Sequence, residues 1–202
     1  MEIMHAISNR KSIRKFSSRD ISKNIIENIL EAGIKAPSPK NIQPWKFIVL
    51  SGNSKNELIK VIEKGMENVK SSFGLLLKEI NFLASAEASI KIMEEAPVII
   101  IVINTENKCN DKKTPVKKFL EMANVQSAGA AIENMLLAAL EYGLGSLWIS
   151  DIYYTIEEIG SWLKTDRQII AAVALGYPAE DPAPSAKKEL DAFVEWKGAW
   201  RK

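Results

Sequence analysis

From Val98 to Ile103 the chain reads Val-Ile-Ile-Ile-Val-Ile, a β-branched run with no polar interruption. A strand with one wet face would alternate, so this run predicts a strand covered on both faces, at the centre of a sheet. Ile169–Leu175 has the same character, and Ser146–Ile149 reads as a shorter strand. Trp45–Leu50 alternates and predicts a further strand. Helical spacing appears elsewhere. Residues 2–9 form a short helix, and Ile25, Ile26, Ile29 and Leu30 recur on one face of a second, with Ser22 as its N-cap and Gly33 as its end. Leu58, Ile59, Ile62 and Met66 mark an amphipathic helix over Ser54–Asn68.

From Val116 to Tyr142 the pattern is helical again. Its second half, Gln126–Leu140, is apolar nearly all round, which requires burial in the core or at a subunit contact. Gly143-Leu144-Gly145 ends that helix, and Thr155–Leu163 reads as another, capped by Thr155 with Glu157 and Glu158 in its first turn. Strands alternating with helices give an α+β fold, a mixed central sheet flanked by helices. No repeat or linker divides it, so residues 1–202 read as one domain. Phe193, Val194, Trp196 and Trp200 near the end have little reason to be solvated, and so predict that the tail packs on its own body or on a partner subunit.

Composition narrows the function classes. Apolar residues at 47% and charged residues at 26% fit a globular chain with a sizeable core. The net charge of +2, with Lys and Glu interspersed, gives no field to attract nucleic acid. The longest apolar run, Ala96–Ile103, is far short of the ~20 residues that cross a bilayer. No basic-then-apolar leader opens the chain, so a cytoplasmic location is expected. Cys109 is the only cysteine and lies in a polar stretch, where it reads as an exposed thiol; His5 is the only histidine. A disulfide, a metal centre and histidine-based catalysis are therefore not expected.

Two short segments remain as candidate chemistry. Arg10, Lys11, Arg14 and Lys15 bracket Ser12, offering cations and a hydroxyl that suit a phosphate monoester. A cluster of this kind can equally be a solvated face. Pro37-Ser38-Pro39-Lys40-Asn41-Ile42-Gln43-Pro44 cannot be regular helix, because three prolines restrict themselves and their predecessors. It reads as a rigid loop whose Ser38, Asn41 and Gln43 offer both donors and acceptors, as the mixed edge of a flavin or a nucleobase would require. Glycine-rich dinucleotide and P-loop fingerprints are absent.

Together, Arg10-x-Ser12-x-Arg14-x-Phe16 and Pro37-Ser38-x-x-Asn41-x-Gln43-Pro44-Trp45 resemble the signature of the FMN-dependent nitroreductase family. Ala130–Ser150 resembles that family's central helix and following turn, and Ala174-Leu-Gly-Tyr-Pro-Ala-Glu its last core strand and exit. The resemblance implies a three-layer sandwich and a homodimer in which the C-terminal tail, residues 182–202, wraps the partner. It implies that Arg10, Lys11, Ser12 and Arg14 hold the FMN phosphate and ribityl chain, Arg14 reaching the pyrimidine side as an electrostatic stabiliser. Pro37, Ser38, Pro39 and Asn41 would come from the other subunit. Trp148, Ile149 and Ser150 would pass beneath the ring, and Lys187, or Lys188 one place on, would meet the phosphate.

The chain departs from many relatives at Lys187, where an arginine is common, and at Ser150-Asp151. The implied activity is ping-pong hydride transfer from NAD(P)H through flavin N5 to a nitroaromatic, quinone or similar conjugated acceptor, with no protein nucleophile. Flavin reductase, enone reductase and reductive dehalogenase roles share the fold. A reading of another class is a non-catalytic module whose basic cluster binds a phosphorylated partner or nucleic acid.

Overall fold

The computed structural model describes residues 2–79, 82–108, 114–198 and 200. Four strands, β1 (Trp45–Ser51), β2 (Val98–Lys108), β3 (Gly145–Ile149) and β4 (Arg167–Gly176), form one sheet in the order β1-β2-β4-β3. Six helices surround it: α1 (Ile3–Asn9), α2 (Lys23–Ile34), α3 (Gly52–Glu79), α4 (Phe82–Glu95), α5 (Pro115–Glu141) and α6 (Ile156–Trp162). The Val98–Ile103 run is the inner strand that its lack of alternation predicts, buried from Val98 to Asn104.

Alternate residues of that run feed two cores. Ile99, Ile101 and Ile103 join Ala172, Ala174, Leu147 and Ile149 beneath α3, α4 and α6, with Leu58, Ile59, Ile62 and Met66 as the inward stripe of α3. Val98, Ile100 and Val102 join Ala171, Val173 and Leu175 beneath α2 and α5, with Ile29, Ile132 and Met135 opposite. Helices on both faces of the sheet make the three layers. All neighbouring strand pairs run antiparallel. The one parallel pairing among the described residues is an isolated bridge between Ser12 and Ser146 beside β3, so the sheet itself is antiparallel where a mixed one was expected.

Several boundaries differ from those the sequence suggests. Gly33 does not end α2, which continues to Ile34. A Cβ there would lie 2.8 Å from Met135 Cγ, so the glycine permits close approach of α2 to α5. Thr155 stands at the N-cap of α6, with Glu157 and Glu158 in the first turn, but makes no side-chain cap bond: a 3-10 turn over Asp151–Thr155 precedes the helix, and the buried Thr155 hydroxyl donates to the Ile152 carbonyl. Ser22 stands at the N-cap of α2 but makes no side-chain cap bond. Cys109 lies outside the described residues.

The tail after Tyr177 narrows the two alternatives for its aromatics. Leu190, Phe193, Trp196 and Trp200 are all more than 60% exposed, so they do not pack on the protomer's own body. Among the described residues no helix is long and apolar enough to cross a membrane.

Candidate cofactor site

The segment Arg10–Ser17 runs between β3 and the exit of β4. Ser12 pairs with Ser146, and the Ile13 amide donates to the Ser146 carbonyl at 3.0 Å. Ile13 is buried against Gly145, where a Cβ would meet its side chain at 2.6 Å. Phe16 pairs with Pro178, the Ser17 amide donates to Tyr177 O, and Lys15 O accepts from the Ala179 amide. A Cβ on Gly176 would lie 2.6 Å from Phe16 Cδ1 and 2.7 Å from Pro97 Cδ. Two glycines at the strand ends thus make room for Ile13 and Phe16, whose burial fixes the polar residues between them. Arg19 stacks its guanidinium 3.9 Å above the Tyr177 ring and closes this end.

The four cations are not equally available. Arg10 Nε lies 3.4 Å from Glu133 on α5, and Lys11 Nζ lies 2.6 Å from Asp181 in the tail. Arg14 is exposed, with one long 3.4 Å bond to the Ser12 carbonyl. Its guanidinium therefore retains most of its donors for an anionic or carbonyl-rich ligand.

Trp148 and Ile149 follow Ser146 on β3, and Ser150 follows that strand. The Trp148 indole runs along α5 beside Gly129, 3.4 Å from where a Cβ would sit, and stays partly exposed. The Ile149 side chain is in the core, leaving only its backbone for a ligand. Ser150 is exposed at the end of the strand. Asp151, the unusual neighbour, has its Oδ2 held by the hydroxyls of Ser89 (2.7 Å) and Ser85 (3.0 Å) on α4, so its charge is partly satisfied there.

The proline loop is built differently. Its roots, Ala36 and Trp45, pack on Ala131 of α5, and Pro44 O accepts from the Thr105 amide at 2.8 Å. Between them Lys40, Asn41 and Gln43 all adopt positive φ, near 50–56°. Such backbone costs about 1–2 kcal/mol per non-glycine residue and persists only where surroundings dictate it. The Ser38 hydroxyl helps dictate it by accepting from the Gln43 amide at 2.9 Å. Pro37, Pro39 and Asn41 are exposed.

Within one chain the Ser12–Ser146 bridge joins the segment of Arg10, Lys11, Ser12 and Arg14 to the strand that carries Trp148, Ile149 and, at its end, Ser150; the loop packs elsewhere. Gly129 and Glu133, one turn apart, face the first group, whereas Ala131 beneath the loop sits roughly 200° around the helix from Gly129. Lys187 and Lys188 lie exposed in the irregular segment between β4 and a 3-10 turn at Leu190–Ala192. Sequence reasoning gave no role to Glu180 or to the Asp181 partner of Lys11, although Glu180 closes the Ala174–Glu180 stretch; carboxylates beside a basic cluster carry no signal until the fold pairs them.

A sequence model of the nitroreductase family matches residues 7–177, almost all of this architecture. The chain belongs to the nitroreductase family. A relative from Archaeoglobus fulgidus, provisionally named an NADH dehydrogenase/NAD(P)H nitroreductase, is 32% identical over 186 residues, covering 89% of this chain and 87% of the relative. Among solved structures, a provisionally named nitroreductase from Desulfovibrio desulfuricans in complex with FMN aligns with a TM-score of 0.72 at 27% identity, covering 98% of this chain and 99% of that one. A BluB-like flavoprotein from Clostridium difficile 630 aligns with a TM-score of 0.73 at 28% identity, covering 98% and 100%. The matched range of this nitroreductase includes both the basic segment and the strained loop.

Proposed function

We propose that this nitroreductase is an FMN-dependent oxidoreductase that uses NAD(P)H to reduce a nitroaromatic, quinone or similar conjugated acceptor. The observation that carries the reading is the exposed Arg14 beside Ser12, on a segment locked between β3 and the β4 exit. The donor set fits the cofactor: Arg10, Lys11 and Ser12 for a phosphate monoester and polyol, Arg14 for the electron-rich pyrimidine edge, and strand-end amides for the opposite edge. When bound, FMN supplies hydride transfer at N5 in two alternating half-reactions, first with NAD(P)H and then with the acceptor. The protein contributes position and charge: Arg14 stabilises the negative charge that reduction adds to the ring, and the Trp148 indole borders the site.

The site is composite in this reading. Pro37, Ser38, Pro39 and Asn41 of a second copy, together with Lys187 of the tail, complete it across a homodimer. Surface supports this. The protomer exposes 12927 Å², against about 9,500 Å² for a compact monomer of its mass. Ile3, Met4 and Ile7 on α1, Val116, Phe119 and Met122 on α5, and the tail aromatics all lie open to solvent. An uncovered apolar area of that size marks an interface.

Purification and a visible spectrum test the reading first. Flavin bands are expected, or their appearance on adding FMN; a chain that stays colourless with added FMN is instead the non-catalytic phosphate-binding module. Arg14→Ala is expected to weaken FMN binding by roughly tenfold or more and to make the bound flavin harder to reduce, given the worth of charge-assisted contacts. Unchanged affinity and reduction potential would remove Arg14 from its role. Oxidising the reduced enzyme with nitro, quinone, enone and flavin acceptors then decides the substrate class; preference for an enone or a free flavin would replace the nitroaromatic reading with one of its relatives.

A further inference from the structure

Where the chain passes from β3 to the β4 exit, the two ladders leave a gap. Ile13 is the last residue to donate to Ser146, and Lys15 O and the Ser17 amide are the first groups to pair with residues 177–179. The amides of Arg14 and Lys15 fall between the two and have no strand partner. Both instead donate to one carboxylate oxygen, Glu180 Oε1, at 2.6 and 3.2 Å. Glu180 is half-buried, Arg14 points outward, and the next residue, Asp181, pairs with Lys11.

An orphaned amide pair could have been satisfied by water at this edge. A carboxylate does more, because charge-assisted bonds are short and directional, and here one oxygen spans two consecutive amides. The same anion repels a phosphate or an electron-rich ring, so its presence inside the basic cluster calls for a compensating role. That role follows from connectivity: fixing the Arg14 and Lys15 amides fixes the backbone from which the Arg14 side chain departs.

Resting on the flavin reading above, we infer that Glu180 is a positioning residue that sets the direction of Arg14 toward the cofactor. It touches no reacting atom. Its effect is carried through two backbone bonds, and an amide side chain able to accept the same bonds preserves much of it.

Glu180→Ala, Glu180→Gln and Glu180→Asp test this in the full-length protein. Amide hydrogen exchange without added flavin should show Arg14 and Lys15 exchanging about tenfold faster or more in Glu180→Ala, with protection largely restored in Glu180→Gln, as loss of their shared acceptor predicts. With FMN, Glu180→Ala should raise the dissociation constant roughly tenfold and lower the potential of flavin bound at saturation, Glu180→Gln lying near wild type. Glu180→Asp, one carbon shorter, should fall between them and carries the test if the alanine variant does not accumulate. A variant with a lower melting temperature but wild-type potential and affinity overturns the inference, since a purely structural anchor would give that result. If wild type itself takes up no FMN, the flavin reading fails, while the exchange measurement still shows whether Glu180 holds the two amides.

Discussion

Lys55 is buried on the first turns of α3, and its ammonium donates to the carbonyl oxygens of Glu94 (2.6 Å) and Ala96 (2.8 Å), closing the end of α4. Burial holds its pKa below the usual lysine value of 10.5, with the nearby Glu94 charge countering part of the effect. The folded state therefore binds this proton less tightly than the unfolded chain. Stability from this group rises with pH through the alkaline window between the lowered value and 10.5, and the burial penalty is full below it. Lys55→Met should lose about 1–2 kcal/mol at neutral pH through the two carbonyls left unpaired. Chemical denaturation from pH 8 to 10.5 should show that deficit widening; a deficit that narrows contradicts the sign. Nothing in the sequence separates Lys55 from the solvated lysines of the same helix, because its burial is made by the end of α4, about forty residues away. Glu180 was equally silent, since its partners are backbone amides.

At the scale of elements, sequence periodicity was informative wherever one physical requirement dominated. The Val98–Ile103 run could only be a strand covered twice, and the Leu58–Met66 stripe could only face a core. Strand direction was less legible. An unbroken apolar run is commonest in parallel sheets, yet here antiparallel neighbours are buried because helices cover both faces. A stop was misplaced where a small residue serves packing instead, as Gly33 does against Met135, and Thr155 holds the N-cap position of α6 while its hydroxyl bonds back into the 3-10 turn. The candidate site was proposed from two motifs, and the fold adds how they are held. Gly176→Ala forces a Cβ onto Phe16 and Pro97, an overpacking that typically costs about 1–3 kcal/mol. Thermal melts should show the loss, and FMN titration should show weaker binding because Phe16 anchors the basic strand. Full affinity in a destabilised variant would mean that Arg10–Arg14 is held independently of Phe16.

At the scale of the whole molecule, the excess surface and the uncovered aromatics of the tail describe a chain shaped for a partner. Removing residues 183–202 should leave monomer or aggregate in light-scattering measurements and abolish FMN retention; a stable flavin-bound dimer after truncation would end the wrapping role. The loop at Pro37–Asn41 and the segment Arg10–Arg14 lie on different sides of α5, and in the proposed site they come from different chains. This is the central claim, and a mixed dimer tests it. Arg14→Ala and Asn41→Ala chains carrying different affinity tags, co-expressed and purified through both tags, place both defects in one site and leave the other intact. One tightly bound FMN per mixed dimer, with wild-type affinity, is expected, while each parent homodimer binds weakly at both sites. A mixed dimer with no tight site would contradict it and place strand and loop in the same subunit's site.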